Sequence, residues 1–333
     1  MDNTDPQPKI SLGTNYVLHF HPKSTPLEKR YGITIRYYKD GKPDPDKRLD
    51  YIIRLKIKKH PQHPVWKFTI NKEQVFFNQK EPDLVAEELS IEMIDALFPI
   101  EIDVAYRMQP LEDTLNHREI TKRWTDKKAK IYTKRAGKLM DEVITQIDHR
   151  IKNRHTIERS LKQDLFWQLF FHPIHLEYTP RLKRESDLLF SFDDFTNPIR
   201  LQGVQLLKEE LTPYGTVQVN FSSDEEAPGS LGKYKQKEET VLRLKSSVIY
   251  DLDKDSYLPK CIRANCDLYQ PLHPAHSVRK VAFSLYVLAE ENKNSQFIPD
   301  KPSGLDWGFD ELNKPSKKPK PSYWELFKKV WNS

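Results

Sequence analysis

The sequence predicts an α+β protein: a large, strongly curved antiparallel sheet or incomplete barrel of about twelve strands, with a long helical insert packed against it. Three observations lead there. Most of the chain alternates apolar and polar residues in short runs punctuated by proline and glycine, the two-residue period of half-buried strands. One run, residues 111–172, is free of proline between Pro110 and Pro173, rich in helix formers, and apolar at three- and four-residue steps. Strands joined by short turns pair antiparallel, and about twelve exceed what one open twisted sheet carries, so the sheet should curl or split.

In chain order, residues 1–14 read as a flexible leader and 15–291 as a single α+β domain. Tyr16, Leu18 and Phe20 alternate with Val17, His19 and His21 in a first strand, and Ile33, Ile35 and Tyr37 mark a second. The clearest strand sets Leu49, Tyr51, Ile53, Leu55 and Ile57 against Asp50, Ile52, Arg54, Lys56 and Lys58. One face is apolar and the other mostly basic, as in an antiparallel sheet with one wet side. Trp66, Phe68 and Ile70 belong to a fourth strand. Pro82 opens a short helix striped by Val85, Leu89, Met93 and Leu97, which Pro99 ends. Ile100, Ile102, Val104, Tyr106 and Met108 alternate as a further strand.

Within the helical insert, an early face of Ile120, Trp124 and Ile131 is followed by two stripes. Leu139, Val143, Ile147 and Ile151 make one; Ile157, Leu161, Leu165 and Leu169 make the other. The phase breaks near residues 152–156, which predicts two helices or one kinked helix. Candidate strands follow at 174–178, 186–192, 199–211, 216–222, 240–250, 257–270 and 277–290, with hairpin turns at 212–215 and 251–255. Residues 223–238 read as a mobile surface loop. Leu55, Ile57, Val104, Tyr106, Val143, Ile147, Leu165 and Leu169 are expected in the core. In outline this resembles the half-barrel carriers of lipids and lipoproteins, a likeness of architecture that no motif carries.

Only 10 glycines against 24 prolines argue against glycine-rich phosphate loops, and a net charge of +6 over 333 residues does not by itself imply nucleic acid. No stretch approaches the ~20 apolar residues of a membrane helix. The start, MDNTDPQPKISLG, lacks the basic and apolar regions of a secretory signal, so a cytoplasmic location is expected. Cys261 and Cys266 lie on opposite faces of one predicted strand and read as reduced structural thiols.

Three features could carry function. His-Pro-x-His occurs at His60 and His63, at His172 and His175, and at His273 and His276. Converging imidazole pairs could hold zinc or copper. Ordinary turn chemistry is the simpler reading, because no cysteine or carboxylate joins them at a zinc spacing. Residues 118–138 hold nine lysines and arginines against Glu119 and Asp126, a local net of +7. With Lys122, Arg123, Lys127, Lys128 and Lys134 beside Trp124 and Tyr132, such a helix could track a phosphate backbone, or simply be a solvated face.

The third feature is the tail. After a proline- and lysine-rich linker at 292–321 comes an amphipathic peptide, 322–333. Ser322 and Glu325 have capping-box spacing, and Tyr323, Trp324, Leu326, Phe327, Val330 and Trp331 fall within roughly 160° of arc. So short a helix needs a surface to form on: a partner's groove, its own sheet, or a membrane. Adjacent Asp193 and Asp194 form no dyad, and Asp251, Asp253 and Asp255 begin like a calcium loop but lack its glycine and closing glutamate. Nucleophile, phosphate-loop and dinucleotide motifs are absent, which leans against an enzyme.

The reading is a binding or adaptor protein that docks a protein partner through its body and C-terminal helix, with an apolar ligand between sheet and helices as a variant. A nucleic-acid protein using the basic helix and a metal-dependent protein using the histidines are the alternatives. No cofactor and no membrane partner are expected.

Overall fold

A computed structural model of the chain describes residues 17–23, 25–81, 85–134, 138–192, 198–234 and 241–288. Among the described residues, ten strands form one antiparallel sheet. They are β1 (Leu27–Lys39), β2 (Lys47–Lys59), β3 (Trp66–Phe77), β4 (Ile100–Val104), β5 (Lys183–Phe190), β6 (Ile199–Leu207), β7 (Thr216–Glu226), β8 (Arg243–Asp253), β9 (Pro259–Gln270) and β10 (His273–Val287). Their order is β4-β3-β2-β1-β10-β9-β8-β7-β6-β5, so consecutive strands are neighbours except where β1 meets β10. That join brings the first and last strands together in mid-sheet, with Ile33 opposite Leu285. The sheet is not closed into a barrel, and β4 and β5 are its edges.

The alternation read from the sequence becomes two unlike faces. On β2, Tyr51, Ile53, Leu55 and Ile57 enter the core. The opposite face holds more than basic side chains, because Asp50 and Ile52 are also buried there. Asp50 accepts from Thr34 Oγ1 at 2.7 Å and pairs with Arg48 Nε at 2.9 Å, which is how a buried carboxylate is tolerated.

Five helices are present among the described residues: α1 (Val85–Leu97), α2 (His117–Lys134), α3 (Lys138–Lys152), α4 (Arg154–Gln163) and α5 (Leu165–Phe170). Residues 111–172 thus contain four described helices where two, or one kinked helix, were expected; residues 135–137, between α2 and α3, lie outside the described residues. The break foreseen near 152–156 falls at Asn153, whose side chain accepts from Thr156 N at 3.2 Å and caps α4. The further break is at Asp164, which takes Phe166 N at 2.8 Å and so starts α5. All of α5 is buried. Phe170 meets Tyr31 of β1 edge-on at 5.6 Å between ring centroids and stacks on Phe166 at 5.1 Å.

Seven of the eight expected core residues are buried; Tyr106 is 49% exposed. Its strand stops at Val104, and a turn follows in which Met108 N donates to Ala105 O and Met108 takes a positive φ of 59°. Two other expected strands, 15–21 and 174–178, are not strands of the sheet. Their described residues meet each other at a single antiparallel bridge, Val17 with Glu177, and Leu18 N donates to Leu176 O. The expected loop at 223–238 begins as β7 and continues as a 3-10 helix, Gly229–Tyr234, with Leu231 buried. Cys261 is half-buried and Cys266 buried, both free.

Candidate functional site

The histidine pairs separate. His60 and His63 sit at the β2–β3 turn with ring centroids 4.8 Å apart, and His60 Nδ1 accepts from the backbone N–H of Gln62 and of His63. His172 and His175 lie instead inside the core, 3% and 1% exposed. His172 stacks on Tyr250 of β8, and its Nε2 is 2.9 Å from the amide nitrogen of Gln205, which must donate. Gln205 Nε2 also reaches Pro173 O and Ser186 Oγ, while Tyr178 Oη sits 2.9 Å from Gln205 Oε1. His175 Nε2 meets Tyr257 O at 3.0 Å.

Burial pushes the His172 imidazole down to about 3 and that of His175 down to about 4, so both are neutral at pH 7. They hold the chain after α5 onto β6, β8 and the β8–β9 turn. The side chains of His273 and His276 lie outside the described residues. Among the described residues, no three histidine, cysteine, aspartate or glutamate side chains converge on a metal-sized site.

The basic helix is α2; three of its cations, Arg123, Lys127 and Lys128, face protein, while Arg118, Lys122 and Lys130 are exposed. Arg123 donates to Ala96 O, Leu97 O and Pro99 O at 2.9–3.0 Å, satisfying carbonyls left open at the end of α1. Lys127 bridges Glu92 at 2.7 Å and Asp95 at 2.9 Å, both on α1. Lys128 pairs with Asp148 of α3, which also accepts from Trp124 Nε1. Lys122 is exposed, and the Lys134 side chain lies outside the described residues. Another inward cation, Lys72, sits 3.9 Å over the Tyr51 ring and 3.8 Å from Asp164, tying β3 to the cap of α5; burial lowers its pKa. The tail residues Tyr323, Trp324, Leu326, Phe327, Val330 and Trp331 lie outside the described residues.

What the sequence reading did not single out is the contrast between the two sheet edges. On β4, the outward-facing groups are all taken. Glu101 N donates to Asn116 Oδ1 and Asp103 N to Thr114 Oγ1, while Asn116 N donates to Glu101 O and Leu111 N to Asp103 O. A loop with side-chain acceptors has shut this edge.

On β5, Leu207 N donates across to Leu182 O, so Leu182 faces β6 and the alternation turns Lys183, Glu185, Asp187 and Leu189 outward. Lys183 O accepts from Thr179 N, and beyond the strand Ser191 N donates to Gln168 Oε1. Between these clamps, the backbone N–H and C=O groups of Glu185, Asp187 and Leu189 have no partner among the described residues. Beside them, on the face away from the core, Leu189, Val204 and Leu206 are 48%, 41% and 37% exposed. The charged run Lys183, Arg184, Glu185 and Asp187 is the sequence signal of an edge strand. No protein-family model matches the chain, and no curated protein is found related to it.

Proposed function

We propose that this is a non-enzymatic binding or adaptor protein that docks a protein partner through its body, at the β5–β6 end of a strongly curved sheet, and through its C-terminal aromatic peptide. The observation that carries the reading is that, among the described residues, the β5 edge is open, with exposed Val204 and Leu206 beside one half of it and exposed Leu189 at the other. Exposed apolar side chains along unpaired backbone are a surface that association covers.

Curvature is supported by the reach of two consecutive residues. Phe171 lies 6.1 Å from Phe68 of β3, and His172 lies 5.9 Å from Tyr250 of β8. Those strands are five apart in the sheet, roughly 24 Å if it were flat at about 4.8 Å per strand. An apolar ligand between sheet and helices is the weaker variant, because Phe166, Phe170 and Phe171 already pack among themselves there.

The test is affinity capture from an extract of the source cells, with wild type, a Val204→Ser/Leu206→Ser variant and a chain lacking residues 313–333. A protein recovered in near-stoichiometric yield by wild type should be lost from the double variant, whose melting temperature should match wild type. The truncated chain should retain less of it. An unchanged capture profile for both altered chains contradicts the reading.

A further inference from the structure

We infer that residues 185–189 of β5 recognise their partner by strand addition: an extended segment pairs antiparallel along this edge, with basic side chains opposite Glu185 and Asp187 and an apolar one opposite Leu189. This deepens the adaptor reading and rests on it. The backbone argument comes first. Three successive outward residues offer six hydrogen-bonding groups between two clamps, a window sized for a short extended segment, while β4 is closed at every corresponding position. A sheet that, among the described residues, shuts one edge completely and leaves the other open has a template for one more strand.

Side-chain chemistry selects the occupant. A strand paired here sets its alternate residues directly across from Glu185, Asp187 and Leu189, close enough for charge and apolar contacts to discriminate. Asp187 already has Arg200 of β6 on its other side, but Glu185 has no ion-pair partner among the described residues. A second copy fits poorly. In the register that uses the whole window, Asp187 would face its own counterpart, and like charges directly opposite destabilise a pair.

The test uses the full chain and fluorescent peptides in which threonine alternates with valine, lysine and lysine, or with valine, glutamate and glutamate. Wild type should bind the lysine peptide about tenfold more tightly than the glutamate one, since two cross-strand pairs change from attractive to repulsive. Asp187→Pro removes an outward N–H together with the exposed ion pair to Arg200, both tolerable at an edge strand, so it should abolish binding with little change in melting temperature. Asp187→Asn, which keeps the N–H, should retain binding at reduced lysine preference. Glu185→Lys, which leaves the backbone alone, should erase the preference for lysine.

Binding of the lysine peptide to Asp187→Pro at wild-type strength overturns strand addition, as does a wild type that binds neither peptide. A wild-type dimer that becomes monomeric on Asp187→Pro assigns the edge to a second copy and overturns the partner chemistry. If the peptides fail while Val204→Ser/Leu206→Ser still loses a captured protein, strand addition falls and the adaptor reading stands.

Discussion

Lowering the pH from 7 to about 4.5 is expected to remove roughly 5 kcal/mol of folding stability, with most of the loss traceable to His172 and His175. Each imidazole titrates at 6.5 when unfolded and at about 3 or about 4 when buried in the fold. Below pH 6.5 the unfolded chain therefore binds protons that the folded chain refuses. The stabilisation is complete above the unfolded value and is lost as pH falls toward the folded ones. Each group contributes about 1.4 kcal/mol per pH unit in that window. The physical cause is burial: a charged His172 would face the amide donor of Gln205 with no acceptor for a second N–H. Urea unfolding at a series of pH values checks this, with wild type against His172→Gln. The slope between pH 6 and 4.5 should be about half as steep in the variant; an equal slope would mean that His172 titrates alike in both states.

The second large effect is Phe170→Ala, expected to cost roughly 3–5 kcal/mol. Phe170 is buried where α5 meets the sheet, edge-on to Tyr31 and against both Phe166 and Phe171. Its neighbours are fixed from the sheet side by the β1 ladder and from the helix side by the Asp164 cap, so the cavity has little freedom to collapse. Urea midpoints give the change, with exposed Tyr214→Ala as a control expected to stay within about half a kcal/mol. A loss below about 1 kcal/mol at Phe170 would place α5 outside the cooperative core.

These two predictions also mark where the sequence was legible. The strands with strict alternation, β2 above all, and the helix break at Asn153 follow from local pattern and capping chemistry, and both are where the pattern put them. Tyr106 misled because the alternation of its segment runs on through a turn that only the positive φ of Met108 reveals. Residues 174–178 alternate like a strand, yet two of their N–H groups are satisfied locally, Ile174 N by His172 O and Leu176 N by Ile174 O. Among the described residues, their pairing is limited to one bridge with the segment at Val17. The +7 composition of residues 118–138 was real, but the carboxylates that meet it, Glu92, Asp95 and Asp148, come from other helices. The open edge was hidden for a related reason. Charges on Glu185 and Asp187 hint at an edge, but which strand ends the sheet depends on pairing between distant segments.

The account turns on the asymmetry between β4 and β5, and amide hydrogen exchange of the folded chain, resolved by NMR, measures it directly. The N–H groups of Glu101 and Asp103 on β4 should be protected, as should those of Arg184, Ser186 and Leu188, which face β6. Those of Glu185, Asp187 and Leu189 should exchange close to the rate of an unstructured peptide. Protection of Asp187 and Leu189 equal to that of Leu188, in the chain alone, would mean the edge is already paired and would contradict the account.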